Sequence, residues 1–111
     1  MTGTWRAKDP FMETAKIRVV TIVATAELQE RLEGDLMAMG VTGLTVGRVD
    51  GRGSHGVRRA GLFDRANVRI ETLVSTELAT RVLERIMTHY KGQEILAYAH
   101  DVEAVPKEHF V

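Results

Sequence analysis

No cysteine occurs in the 111-residue chain. That excludes disulfide staples, thiolate nucleophiles and cysteine-ligated metal sites, and it suits a reducing, cytoplasmic setting. Charge of one sign is equally lacking, because fifteen basic residues face fifteen acidic ones. A neutral chain has no global field drawing it to nucleic acid or to a membrane surface, so any taste for anions must come from local clustering. No apolar run approaches the roughly 18–20 residues that a membrane span requires. The N-terminal stretch also lacks the apolar centre of a secretory signal. It mixes Gly3, Trp5, Arg6, Lys8, Asp9 and Pro10. Residues 1–15 are therefore expected to form a flexible arm ahead of one folded domain over 16–111.

What remains is ordinary for a globular protein: 44% hydrophobic and 27% charged residues. A domain of this length buries a limited share of its surface, which makes self-association a natural source of further burial. Lys16 to Ala24, KIRVVTIVA, is β-branched and apolar throughout its centre, the pattern of a strand buried on both faces. Thr25 is placed to cap a following helix, with Glu27 in its positive first turn. Leu28, Leu32, Leu36 and Met39 recur at helical spacing, and Gly40 can supply a left-handed stop. Leu44 and Val46 alternate with Thr45 and Gly47 to open a second strand. A third strand over Asn67–Val74 puts Val68, Ile70, Thr72 and Val74 on one face. Ser75 or Thr76 caps a second helix whose stripe is Ala79, Val82, Leu83, Ile86 and Met87. Gly92 can end it, and Ile95–Val105 reads as a fourth strand.

The order β-α-β-β-α-β predicts an α+β chain of the ferredoxin-like, split βαβ kind, with both helices on one face of an antiparallel sheet. The opposite face would carry Val, Leu and Tyr side chains that a lone protomer leaves wet, and association through that face is the simplest remedy.

The connection between strands two and three, from about Gly47 to Ala66, is far longer than a hairpin needs, and loops of that length in a compact domain usually carry function. Its sequence, GRVDGRGSHGVRRAGLFDRA, holds Arg48, Arg52, Arg58, Arg59 and Arg65 against Asp50 and Asp64. It also holds Gly47, Gly51, Gly53, Gly56 and Gly61. Glycines let the backbone adopt positive φ and aim N–H groups at a ligand. Such N–H groups converge on anions, and guanidinium groups grip phosphate or carboxylate with paired hydrogen bonds. Gly51-Arg52-Gly53-Ser54 combines these devices and adds a hydroxyl.

Other residues point to chemistry less strongly. His55, His89, His100 and His109 form no pair at metal-ligand spacing. A protonated His55 would strengthen an anion site, His89 suits the negative end of the second helix, and His100 alternates with Tyr98 and Val102 on a sheet face. Glu77, Arg81, Glu84 and Arg85 have the spacing of a solvated ion-pair face. Tyr90 and Tyr98 are expected to pack against the sheet.

The element order, the long central connection, and the stretches Gly40-Val41-Thr42-Gly43-Leu44-Thr45-Val46, Gly51 to Arg58 and Ala66 to Glu71 together resemble PII signalling proteins. The likeness is to the PII-like branch of SbtB and carboxysome-associated PII (CPII) type. It implies a homotrimer with adenine nucleotides, ADP or AMP, in clefts between subunits. The long connection would then be the T-loop. By the same resemblance Gly51, Arg52, Gly53, Ser54 and Arg58 contact the phosphates, and Tyr90 to Glu94 is the B-loop, contributing Lys91, Gly92 and Gln93. Thr21, Ile22, Thr45 and Val46 would line the adenine cleft. Arg58 and Arg59 would hold bicarbonate, with a link to inorganic carbon metabolism and a transporter or carboxysome-related partner docking on the T-loop. No catalytic cofactor, metal or nucleic acid is implied.

The chain departs from the family pattern in three ways. No tyrosine lies between Gly47 and Ala66, so uridylylation is not expected. The turn at Tyr90–Glu94 is poorer in glycine than the usual B-loop, which weakens the expectation of ATP and 2-oxoglutarate. The cysteine pair of some SbtB proteins has no counterpart.

The alternative is a phosphate-handling enzyme of acylphosphatase type, which shares the element order. Its cradle needs glycine after strand one, where this chain has Ala24-Thr25-Ala26. An RNA-binding module would need aromatic residues on the middle strands, where Val68, Ile70 and Thr72 stand. An amino-acid-sensing domain of the ACT kind would not need so long and basic a loop. The absence of a nucleophile, paired acids or a metal set favours a regulatory binding protein over an enzyme.

Overall fold

A computed structural model describes residues 13–50 and 66–110. Four strands, β1 (Ala15–Thr25), β2 (Thr45–Val49), β3 (Asn67–Val74) and β4 (Ile95–Ala104), form one sheet in the order β2-β3-β1-β4. All neighbours pair antiparallel. Helix α1 (Gln29–Ala38) joins β1 to β2, and α2 (Thr76–His89) joins β3 to β4. Each crossover therefore links two parallel strands with another strand between them, which is the α+β ferredoxin-like arrangement expected from the pattern.

Residues facing one another across an antiparallel ladder share a face, so the registers Ile22↔Ile70 and Ile22↔Ala97 define the side covered by the helices. Val20, Ile22 and Ala24 of β1 and Ile70 and Val74 of β3 pack there with Leu32 and Leu36 of α1 and Ala79, Val82 and Ile86 of α2. Each large aliphatic side chain sealed in such a layer stabilises the fold by about 1.5–3 kcal/mol. The opposite face carries Val19↔Leu73, Thr21↔Tyr98 and Val23↔Leu96. It is only partly covered: a C-terminal 3-10 turn, Lys107–Phe110, packs on β1, yet Leu73, Leu96 and Tyr98 stay 41%, 47% and 46% exposed.

Local signals explain most boundaries. The Ser75 hydroxyl accepts from the Leu78 N–H at 3.1 Å and starts α2. Gly40 and Gly92 take φ of 105° and 85°, left-handed conformations that a side chain would strain. Four details differ from expectation. Thr25 makes no side-chain cap: it ends the ladder opposite Asn67 with its side chain buried in the sheet, and a 3-10 turn, Ala26–Leu28, intervenes before α1. The second strand runs on past Gly47 through Arg48 and Val49, paired with Val68 and Asn67, so the long connection starts at Asp50. Met87 is 67% exposed and lies outside the α2 stripe. Arg85 does not serve a purely solvated face, because its guanidinium reaches Asp35 on α1 at 3.4 Å.

Candidate functional site

Strand direction decides where the loops meet. β1 and β2 end, and β3 and β4 begin, at the same end of the sheet. The base of the long connection and the turn between α2 and β4 therefore emerge together. Backbone bonds tie them to the end of β1: the Thr25 N–H donates to the Glu94 carbonyl at 3.3 Å, and the next N–H, of Ala26, donates to the Ala66 carbonyl at 3.0 Å. Since β3 and β4 flank β1, the two loop bases stand two strand spacings apart, about 10 Å.

On the connection side, Arg48, Val49, Asp50, Ala66 and Asn67 line a pocket of about 260 Å³. The Asn67 side chain is buried, and its Oδ1 accepts no hydrogen bond among the described residues. A buried acceptor without a donor costs about 1–3 kcal/mol unless a ligand or neighbouring group supplies one. Along the same edge Arg69 is already committed to Glu71 at 2.6 Å. On the other side Lys91, Gly92, Gln93 and Glu94 are exposed, and the turn is closed by the Gln93 N–H donating to the Tyr90 carbonyl at 2.9 Å.

Tyr90 anchors this turn. Its ring is buried at 1% exposure, its hydroxyl donates to Asp35 Oδ2 at 2.6 Å, and the Arg31 guanidinium stacks on it at 4.4 Å. Burial, the bond to Asp35 and the carboxylate charge push the phenol up from its ordinary 10.0 to about 12, so it stays a neutral donor. Arg31 also donates to the His89 carbonyl at 3.2 Å, at the C-terminal end of α2. Tyr90 thus packs into the helix layer, against Asp35 and Arg31 of α1, where the sequence suggested packing on the sheet, and its buried ring is closed to base stacking.

Of the residues singled out in the sequence, Lys91, Gly92 and Gln93 share the end of the sheet with Arg48 and Asp50 of the connection's base. Thr45 and Thr21 fall in one row of the partly bare face, through Thr45↔Glu71 and Glu71↔Thr21. Ile22 and Val46 lie on the helix-covered face, Ile22 within the core at 1% exposure and Val46 at the sheet's edge at 37%. Period-two alternation allows no other outcome for adjacent residues of one strand. Gly51, Arg52, Gly53, Ser54, His55, Arg58 and Arg59 lie outside the described residues. Asp35, Arg31 and Asn67 were not read from sequence as site residues. Asn67 carried one usable signal, an amide at the first position of a strand beside a functional loop.

A second concavity, about 310 Å³, lies on the partly bare face between Val19, Thr45, Glu71, Leu73, His109 and Phe110. Among the described residues no helix is long and apolar enough to cross a membrane.

Known proteins bear directly on this geometry. The profile of the family described as nitrogen regulatory protein P-II matches residues 17–109. Among solved structures, the chain is similar to a PII-like signalling protein from Thermus thermophilus, with 35% identity and a TM-score of 0.74 over 90% of this chain and 100% of that one. It is similar to CPII from Thiomonas intermedia bound to ADP and bicarbonate, with 25% identity and a TM-score of 0.69 over 83% and 91% of the two chains. The same protein bound to ADP, AMP and acetate matches in fold, with 22% identity and a TM-score of 0.75 over 89% and 98%. No curated protein matches the chain in sequence.

Proposed function

The chain belongs to the nitrogen regulatory protein P-II family, and we propose that it is a cytoplasmic, non-enzymatic sensor that binds ADP or AMP together with a small anion, bicarbonate being the candidate. One observation carries this reading: the base of the long basic connection and the Tyr90–Glu94 turn leave the sheet at one end, joined through Thr25 and Ala26. A ligand with a chain of phosphates and a flat base needs that kind of double clamp. Gly51, Arg52, Gly53, Ser54 and Arg58 hold the phosphates from one side, while Lys91, Gly92 and Gln93 approach from the other. Thr21, Ile22, Thr45 and Val46 belong to the strands that wall the adenine cleft, with Thr45 exposed on the face turned to a neighbouring subunit and Thr21 buried beneath that face at 1% exposure. Arg58 and Arg59 hold the bicarbonate.

The protomer completes only one side of its sheet, which supports a homotrimer packed through the other, with each nucleotide at a seam between subunits. Ligand binding orders the connection and changes the surface shown to a protein partner, a transporter or carboxysome-related protein in a carbon-concentrating setting. The similarity to CPII bound to ADP and bicarbonate supports the choice of ligands.

Titration calorimetry with ADP and with AMP, each with and without bicarbonate, tests the reading. Saturable binding of one nucleotide per protomer is expected, with the Arg52→Ala/Arg58→Ala double variant weakened at least about tenfold, since each charge-assisted contact is worth about 1.5–3 kcal/mol. Absence of binding at millimolar nucleotide, or full affinity in the double variant, overturns it.

A further inference from the structure

The turn that shares one end of the sheet with the loop base is held by side chains of α1 and α2. Tyr90 at once caps the C-terminal end of α2, through its N–H to the Ile86 carbonyl at 3.1 Å, and opens the turn, through its carbonyl to the Gln93 N–H at 2.9 Å. Its side chain leaves in the opposite direction, into α1, where the hydroxyl meets Asp35 at 2.6 Å. Asp35 is itself oriented by Arg85 of α2 at 3.4 Å, so one carboxylate collects a donor from the helix and a donor from the residue that ends it. Arg31, one turn earlier on α1, covers the ring at 4.4 Å and holds the His89 carbonyl at 3.2 Å. Three side chains across α1 and α2 thus fix the backbone at 89–90. The far end of the turn is fixed separately, by the Glu94 carbonyl on β1. Between these pins lie Lys91, Gly92 and Gln93, and Gly92 takes the positive φ that such a short span demands.

Resting on the nucleotide reading above, we propose that the Tyr90–Asp35 hydrogen bond is a positioning contact that presents Lys91–Gln93 to the ligand's phosphates. A phenylalanine at position 90 would keep the buried ring and its packing and lose only the directional bond to α1. The cost should therefore fall on the geometry of the turn more than on the fold. Because Lys91 supplies the positive charge of the turn, a misplaced turn should weaken a diphosphate more than a monophosphate.

The test measures three things on Tyr90→Phe and on Asp35→Asn, which keeps the side-chain shape at position 35 and weakens the charge-assisted bond. Calorimetry should show ADP affinity reduced about fivefold in Tyr90→Phe, the equivalent of one lost hydrogen bond, with a smaller loss for AMP and an intermediate loss in Asp35→Asn. Hydrogen exchange without ligand should show the amides of residues 91–94 exchanging faster in both variants while those of β1 keep wild-type protection. Equal losses for ADP and AMP, or unchanged exchange at 91–94, would overturn the positioning role. Should Tyr90→Phe fail to fold, Asp35→Asn decides by the same readouts. Wild-type protein that takes up no nucleotide would defeat the sensor reading instead, and the exchange comparison would still judge the brace.

Discussion

The two faces of the sheet are built from the same strands and come to opposite ends. On the helix-covered face, Val20, Ile22 and Ile70 have exposures of 0–1% and meet Leu32, Leu36 and Val82 within the protomer. On the other face, Leu73, Leu96 and Tyr98 keep 41–47% of their surface. The first face has all its partners inside one chain and supplies stability. The second is an apolar surface with a partial cover from the C-terminal turn, and it is the face that the proposed trimer would close. The difference teaches that packing alone separates the two faces: one is closed within the chain, and the other keeps apolar surface in reach of a partner.

Replacing Ile22 with alanine strikes the closed face at its centre and is expected to cost about 3 kcal/mol, within the range of about 2–5 kcal/mol for such truncations; chemical denaturation measures it. A loss well under about 1 kcal/mol would mean that the helix layer is not the main source of stability and would break the contrast.

Alkaline pH probes the helix layer more gently. The Tyr90 phenol is raised above its unfolded value of 10.0 to about 12, so the folded state favours the protonated form. Its stabilising effect is complete below about pH 10 and is lost as pH rises toward about 12, on the order of 3 kcal/mol at about 1.4 kcal/mol per unit. Subtracting the same titration of Tyr90→Phe isolates this contribution, and identical alkaline curves for the two proteins would remove Tyr90 from the account.

Leu73→Glu should have the smallest effect on the protomer, under about 0.5 kcal/mol at an already exposed position. It should nevertheless disperse the assembly, as read by light scattering. An unchanged assembly mass would show that a different surface covers the bare face.

How much of this was legible beforehand follows from the range over which each signal acts. Ser75 as a cap, Gly40 and Gly92 as left-handed stops and the Leu32–Leu36 stripe are local patterns, and they read correctly. Thr25 also looked like a cap, but the ladder to Asn67 claimed its side chain for the sheet. Met87 fitted the helical period and still faces water, because the stripe is wider than the surface α2 covers. Arg85 matched an exposed i, i+4 pattern along α2, whereas its partner Asp35 lies 50 positions away on another helix.

The candidate site divides in the same way. The glycine- and arginine-rich connection suggested anion binding by composition alone, and its central residues lie outside the described structure. Nothing in composition or spacing pointed to the pairing of Tyr90 with Asp35, separated by 55 positions and brought to 2.6 Å only by the packing of two helices.

By itself, then, the amino-acid order determined the succession of strands and helices, the identity of the buried stripes and the basic, glycine-rich composition of the long connection, because propensity, periodicity and side-chain charge act between near neighbours. Only the tertiary structure decided that two loops leave the same end of the sheet, that one face remains partly open, and that a tyrosine at the end of α2 is held by α1. Those facts depend on strand direction and on contacts between residues far apart in the chain, which exist only once the backbone has closed on itself.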